Sequence, residues 1–273
     1  MTQSFEFRGW ALMLAAVLAA LLRTGSASGE SCDVDRDLTK AIGIEEPWLE
    51  NAGYVFTQVP DNGSPQSVTW ASELEARFTN RLGMEFDLPA YTAQEPLGRA
   101  PGAFGPMAAG LKVAGMHRCE LDGDRVTLLT GEIEGQYRVD TRRTVLPGQG
   151  NSVSGQAMWG ELWSPWFDQG ELGYTQRIGT GNTSGWYFDT SFGRALNSAW
   201  AAQLELAIDN QLRSTEGHRG IEGSVMPQIS YRPGAKWRVA LGEQASLLQG
   251  ASQTGWSTWL MIEREYSDSD HPD

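Results

Sequence analysis

Apolar and polar residues alternate with a period of two along most of this 273-residue chain. Such alternation is typical of antiparallel strands with one apolar and one polar face, and almost no stretch follows the helical period of 3.6. Turn residues divide the pattern into about twelve runs, which predicts an all-β, antiparallel protein. The predicted strands are Tyr54–Val59, Ser67–Phe78, Leu82–Ala90, Pro106–His117, Arg125–Arg138, Asn151–Trp163, Gly170–Ile178, Gly185–Arg194, Trp200–Leu212, Gly220–Tyr231, Lys236–Leu247 and Gly255–Tyr266.

The connections between these runs alternate in length. Thr79–Arg81 and Arg232–Ala235 are short, whereas Tyr91–Gly105 and Val139–Gly150 are longer and rich in Gly, Pro, Asn and Gln. Alternating short turns and long loops are typical of an up-and-down barrel in an outer membrane, with its turns in the periplasm. We therefore predict that residues 54–266 form an antiparallel, up-and-down transmembrane β-barrel of about 12 strands.

A soluble periplasmic or secreted β-sandwich that binds a ligand or partner is the alternative, because its strands also alternate. Strands of ten or more residues are long for that class, whose strands usually have about 5–6 residues. The 11 Trp residues lie mostly near the ends of the runs, where a membrane barrel carries its aromatic girdles. Strand length and Trp placement favour the barrel.

The N-terminus resembles a secretory signal peptide over residues 1–27. Arg8 precedes the apolar run Trp10–Leu22, which gives way to the small residues Gly25–Ser28. Export together with the predicted barrel indicates that the protein lies in the outer membrane of a Gram-negative cell. Its predicted partners are membrane lipid and the barrel assembly machinery. Residues 28–53 are predicted to be a periplasmic N-terminal segment or a plug, and residues 267–273 a disordered acidic tail.

Several function classes are disfavoured by composition. The net charge is −13 and basic residues form no stripe, which argues against a nucleic-acid partner. His117 and Cys119 are spaced like a metal pair, but the two other histidines lie in a predicted loop and the tail, so we predict neither metal nor cofactor. A barrel enzyme acting on lipids is a third hypothesis, but His117 faces lipid by strand parity and is a poor catalytic base, so we predict no enzyme activity. Cys32 and Cys119 form either one disulfide or two free thiols.

The stretch WASELEARFTNRLGMEFDLPA, residues 70–90, predicts a hairpin in detail. We predict that Phe78 pairs with Leu82 across a three-residue turn, because a two-residue turn would mix the two faces. Counting outward sets apolar residues opposite apolar ones and carboxylates opposite carboxylates. The predicted pairs are Ala76 with Met84, Leu74 with Phe86, Glu75 with Glu85, and Glu73 with Asp87. Facing carboxylates destabilise a sheet unless cations compensate them.

The polar faces of the strands predict the wall of an aqueous lumen, with basic residues from the far side compensating the acidic hairpin. Two hypotheses follow: the wall binds or selects a small-molecule solute, or its charges merely pair and keep the interior wet. The candidate lumen-lining residues are Glu73, Glu75, Arg77, Glu85, Asp87, Lys112, Arg177, Lys236 and Arg238.

The segment TWASELEARFTNRLGMEFDLPA, followed by GPMAAGLKVAG, resembles the outer-membrane family called "MetA-pathway of phenol degradation". The piece PQISYRPGAKWRVALGEQ is similar to a late hairpin of that group. The resemblance implies a porin-like barrel that transports small molecules, including hydrophobic or aromatic compounds, across the outer membrane. It implies no residue roles. One departure is the C-terminus, because residues 267–273 follow Tyr266, whereas such barrels usually end on an aromatic residue.

Overall fold

The computed structural model describes residues 40–60, 67–94, 103–119, 125–138, 151–178, 184–211, 221–248 and 255–266. They form twelve long strands and one two-residue strand, β4. The strands are β1 (Ala52–Pro60), β2 (Ser67–Thr79), β3 (Leu82–Gln94), β4 (Ala103–Phe104), β5 (Met107–Cys119), β6 (Arg125–Tyr137), β7 (Asn151–Trp163), β8 (Trp166–Ile178), β9 (Ser184–Ala195), β10 (Trp200–Gln211), β11 (Glu222–Gly234), β12 (Trp237–Leu248) and β13 (Trp256–Glu265). Among the residues described, no helix is long and apolar enough to cross a membrane.

The twelve long strands close into one antiparallel barrel. Each pairs with its neighbours in chain order, and β1 pairs with both β2 and β13, which closes the sheet. The short β4 pairs with β3, near one rim. The predicted twelve-stranded up-and-down barrel is confirmed, and the sandwich alternative is excluded, because a sandwich would require two separate sheets.

Strand parity separates an apolar outer surface from a polar inner one. Leu74, Phe86, Leu172 and Leu241 are each at least 39 % exposed on the outside, although a soluble protein would bury residues of this kind. The inner face buries carboxylates, amides and hydroxyls instead. This inversion of the soluble pattern is what a barrel surrounded by lipid requires.

Aromatic residues cluster outside the barrel near both rims. The rings of Trp200 and Tyr231 are tilted against each other with centroids 4.5 Å apart, at the end where the short turns lie. At the opposite end, the centroids of Trp70 and Tyr91 are 6.0 Å apart. Amphipathic rings at these two levels match the interfaces of a bilayer. We call the two ends of the barrel the short-turn end and the long-loop end.

The predicted hairpin register is confirmed, but the predicted turn is wrong. Glu75 pairs with Glu85 and Leu74 with Phe86, as expected. The turn, however, contains only two residues, since Thr79 pairs with Leu82 and Phe78 is the extra residue of a β-bulge. A bulge absorbs one residue of one strand, so both faces keep their partners despite the shorter turn.

Two further corrections concern strand ends. The strand predicted to begin at Gly170 begins at Trp166 instead, so the preceding turn is only Ser164–Pro165, and Phe167 is a buried inner residue of β8. His117 was predicted to face lipid, but it pairs with Leu128, whose side chain is buried inside. A register shift between Ala114 and Met116 reverses the parity of the last residues of β5.

The predicted signal peptide 1–27, residues 28–39 and the tail 267–273 lie outside the described residues. Cys32 is among them, so the choice between a disulfide and two free thiols stays a prediction.

Candidate functional site

Residues 40–51, which we call the inner segment, lie inside the barrel. The segment has no regular secondary structure, so its backbone groups need partners from the wall. Side chains of β6, β8, β10 and β11 provide them. The contacts are Ile42 N to Gln228 Oε1 (3.0 Å), Gly43 N to Glu205 Oε2 (3.2 Å), Glu45 N to Glu171 Oε2 (3.2 Å), Gln203 Nε2 to the Lys40 carbonyl (2.8 Å) and Thr130 Oγ1 to the Pro47 carbonyl.

An apolar cluster holds the inner segment at the short-turn end. Trp48 is 6 % exposed there and packs with five inner-wall residues. Gly160 allows this approach, because a Cβ there would come within 2.9 Å of Pro47. The five wall residues are Val126, Leu128, Leu162, Phe167 and Ala201. Apolar residues on the inner face explain why β6 and β7 carry Leu or Met on both faces in the sequence.

A second apolar cluster holds the other part of the inner segment. Ile42 is buried in it against the wall formed by β1, β11, β12 and β13. Phe56 and Trp259 pack against its edge and are only partly buried. The buried wall residues are Ala52, Tyr54, Met226, Ala240 and Met261.

Lys112 neutralises the facing carboxylates of the β2–β3 hairpin. Its Nζ lies 2.5 Å from Glu75 Oε1 and 2.6 Å from Glu85 Oε2. A third carboxylate, that of Glu45 on the inner segment, lies 3.1 Å from the same Nζ. The Lys112 side chain is 2 % exposed, so burial makes each of these pairs stronger than it would be in water. One cation therefore joins the wall to the inner segment.

A second charged cluster repeats this arrangement on the neighbouring wall. Lys40 Nζ lies 3.7 Å from Glu73 Oε1 and 3.3 Å from the centre of the Tyr54 ring. Glu46 of the inner segment lies between two cations, 4.0 Å from Lys40 and 3.3 Å from Arg238. Arg238 also pairs with Glu263 on β13. In both clusters, ion pairs join residues of the wall to residues of the inner segment, so neither cluster is complete without that segment.

The pKa of Glu46 is lowered to about 2: burial raises it, but Lys40, hydrogen bonding from Glu50, and Arg238 together outweigh that effect. A carboxylate with a lowered pKa stabilises the folded state above its unfolded pKa of about 4.3. That contribution is lost as the pH falls from there towards 2.

We therefore expect Glu46→Gln to reduce the pH dependence of stability between about pH 4.3 and 2. The measurement is the urea midpoint of the folded barrel across that range, beside wild type. The control is Glu161→Gln, which removes one carboxylate from an exposed pair with Arg125 at the rim and should change stability little. An unchanged slope in Glu46→Gln would contradict the assignment.

The predicted lumen-lining residues fall into three groups. Glu73, Glu75, Glu85, Lys112 and Arg238 are all buried inside the barrel, in the two charged clusters. We expected cations from the far wall to compensate the acidic hairpin. The main compensating cation, Lys112, instead lies on β5, which is next to β3.

The other two groups are Asp87 on the inner face of β3 and three residues near the rims. Asp87 lies on the inner face and is partly buried. Arg77 is partly buried at the short-turn end, opposite Gly83, and Arg177 lies near the long-loop end, opposite Ser152. Lys236 was predicted to line the lumen, but it is exposed in the turn between β11 and β12. The strand begins one residue later than the periodicity suggested.

Sequence reasoning missed every charged residue of the inner segment. Lys40, Glu45 and Glu46 lie in a stretch without period-two alternation, which gives no sign of where its side chains point. It also missed Glu132 and Glu134 on β6, although their spacing of two was a usable signal.

The lumen on the long-loop side of the inner segment has an acidic and an aromatic side. The acidic side consists of carboxylates on β3, β6, β8, β9 and β10, whereas the aromatic side consists of Phe56 on β1 and Trp259 on β13. Trp259 Nε1 donates a hydrogen bond to Gln244 Oε1 (3.0 Å), which fixes its ring. The inner-face carboxylates of these five strands are Glu85, Asp87, Glu132, Glu134, Glu171, Asp189, Glu205 and Asp209. Such a wall attracts cations and repels anions.

The fold is similar to that of known porins. The NanC porin matches with a TM-score of 0.56 and 7 % identity, over 78 % of this chain and 100 % of that one. The KdgM porin matches with a TM-score of 0.49 and 7 % identity, over 79 % and 99 % of the two chains. The outer membrane protein OpdK from Pseudomonas aeruginosa matches with a TM-score of 0.43 and 10 % identity, over 78 % and 61 %.

Of these three likenesses, that to the NanC porin has a TM-score above 0.5, and at 7 % identity it shows a shared fold. No protein-family model matches the chain. No curated protein matches it in sequence either.

Proposed function

We propose that this chain is an outer-membrane channel for small solutes, in which the inner segment narrows the lumen and the acidic wall favours cationic and neutral solutes over anions. The observation that carries the proposal is the pairing of an apolar outer surface with a charged, enclosed inner one. A lipid-facing exterior and a polar interior are what an outer-membrane pore needs. The proposal assigns transport and no catalysis.

The aromatic side of the lumen supports a further part of this proposal. Phe56 and Trp259 are partly exposed to the lumen, across from the acidic wall. A solute with a ring and a positive charge could stack on one side and pair with the other. Transport of aromatic compounds agrees with the family resemblance, and membership of that family remains a prediction.

Charge selectivity tests the proposal directly. In planar bilayers with a KCl gradient, the reversal potential should show that cations permeate faster than anions. Replacing Asp189 and Asp209 together with Asn should lower the cation-to-anion permeability ratio at least about threefold, because both carboxylates lie on the inner wall.

Glu243→Gln is the matched control for lost charge. Glu243 is exposed on the outer face of β12, where Thr258 donates a hydrogen bond to it (2.6 Å). Its replacement should leave the permeability ratio unchanged. Anion selectivity in the wild type, or an equal effect of the control, would contradict the proposed role of the wall.

A further inference from the structure

A group of carboxylates lies beside the Lys112 cluster, on its long-loop side. Glu85, Asp87 and Glu134 each offer an oxygen atom, and these oxygens lie within 4.8 Å of one another. Two oxygens that bind one Ca²⁺ at about 2.4 Å can be at most about 4.8 Å apart. The spacing is therefore that of a site for a single cation.

Glu132 supplies an independent observation that points to a ligand. Its side chain is 4 % exposed, and its Oε1 has no hydrogen-bond partner among the described residues. The other oxygen, Oε2, accepts a hydrogen bond from Gln156 Nε2 (2.8 Å), which fixes the carboxylate. A buried carboxylate oxygen without a partner is costly, so its retention calls for a ligand.

The position of Gly110 shows that Glu132 Oε1 points into this group. Gly110 pairs with Glu85 on one side and with Glu134 on the other. A Cβ at Gly110 would overlap the Glu132 carboxylate, so that carboxylate lies over the glycine, between its two acidic neighbours. Four carboxylates thus converge on one patch of the inner wall.

Within this group, the nearby cation Lys112 forms an ion pair with Glu85. Lys112 pairs with Glu45, Glu75 and Glu85. No ion pair between described residues includes Asp87 or Glu134. Like charges this close repel strongly inside a protein, which a bound divalent cation would relieve.

We propose that Glu85, Asp87, Glu132 and Glu134 form a binding site for a divalent cation of the Ca²⁺ type. Ca²⁺ takes six to eight oxygen ligands in flexible geometry, whereas Mg²⁺ demands a near-ideal octahedron. Nitrogen and sulfur ligands, which transition metals favour, are missing from the four side chains. Asp87 and Glu134 are partly exposed to the lumen, which leaves room for water to complete the shell.

The test is a titration of the folded, detergent-purified chain with CaCl₂ after removal of divalent ions by a chelator. Calorimetry should show one saturable site, and Ca²⁺ should raise the melting temperature where NaCl of equal ionic strength does not. Glu134→Gln should weaken Ca²⁺ binding at least about tenfold, because affinity depends on the number of charged ligands. Ca²⁺ binding is measured without transport. The cation site can therefore be wrong while the proposed channel is right, and the channel can be wrong while the cation site is right.

Gly110→Ala is a second variant that keeps every charge. Its Cβ would displace the Glu132 carboxylate from the site, so Ca²⁺ binding should weaken similarly. Glu222→Gln is the control. Glu222 lies opposite Asp209 in the β10–β11 register, on another part of the wall, so this substitution should leave Ca²⁺ binding unchanged. The absence of saturable binding in the wild type, or equal weakening in the control, would overturn the site. A difference in gel migration between boiled and unboiled samples verifies that each variant is folded.

Discussion

Replacing residues 40–50 with a flexible Gly-Ser chain of equal length should raise the single-channel conductance by about an order of magnitude. Two apolar clusters and a set of wall hydrogen bonds hold the wild-type segment inside the lumen. A Gly-Ser chain has neither apolar anchors nor cations, so no side-chain contacts would hold it against the wall. The measurement is current through single channels in planar bilayers.

A single substitution in the inner segment should also raise the conductance, but by less. Trp48→Ala removes the largest anchor at the short-turn end and leaves Ile42 and both charged clusters in place. We expect current that fluctuates between the wild-type level and higher levels. Wild-type conductance in the Gly-Ser variant, with normal barrel migration on unboiled gels, would show that the inner segment does not limit the current.

Lys112→Met should lower the free energy of unfolding by about 3–5 kcal/mol, because it leaves buried carboxylates without their cation. Three carboxylates converge on the Lys112 ammonium, with N–O distances of 2.5, 2.6 and 3.1 Å. Methionine fills a similar volume, so the loss reports on charge rather than on packing. Urea unfolding of the barrel in lipid vesicles at pH 7 measures it.

The matched control is a pair with similar geometry at the surface. Arg125 and Glu161 lie 2.6 Å apart and are 45 % and 32 % exposed. Arg125→Met should therefore cost about 1 kcal/mol or less. Adding Glu75→Gln and Glu85→Gln to Lys112→Met should recover part of the stability, because the unpaired charges are removed. Equal losses for Lys112→Met and Arg125→Met would contradict the role of the buried cluster.

Both predictions concern a lumen whose wall was largely foreseeable. Each of the twelve predicted strands corresponds to a long strand of the barrel, and the carboxylate pairs of the β2–β3 hairpin have the expected register. The period-two alternation carries this information, since a shift of one residue would expose every apolar side chain to the lumen. Where β-bulges interrupt the alternation, at Phe78 and near Gly115, the predictions of turn and face failed.

The inner segment marks the boundary of what alternation can predict. Its residues have no periodicity, and their partners on β6, β8, β10 and β11 are more than 80 residues away in sequence. Lys112 and Glu75 could be placed on inner faces from the sequence, but Glu45 could not be placed beside them.

The sequence by itself determined the strands, the apolar outer face and the acidity of the inner wall, because each depends on neighbours two residues apart. Only the tertiary structure decided what those acids do. Barrel closure brings Lys40, Glu45 and Glu46 against walls formed by distant strands, so most of the hairpin's charge anchors the inner segment. The carboxylates beyond the reach of Lys112 are left facing the lumen, since the burial of charge depends on contacts in space rather than on spacing along the chain.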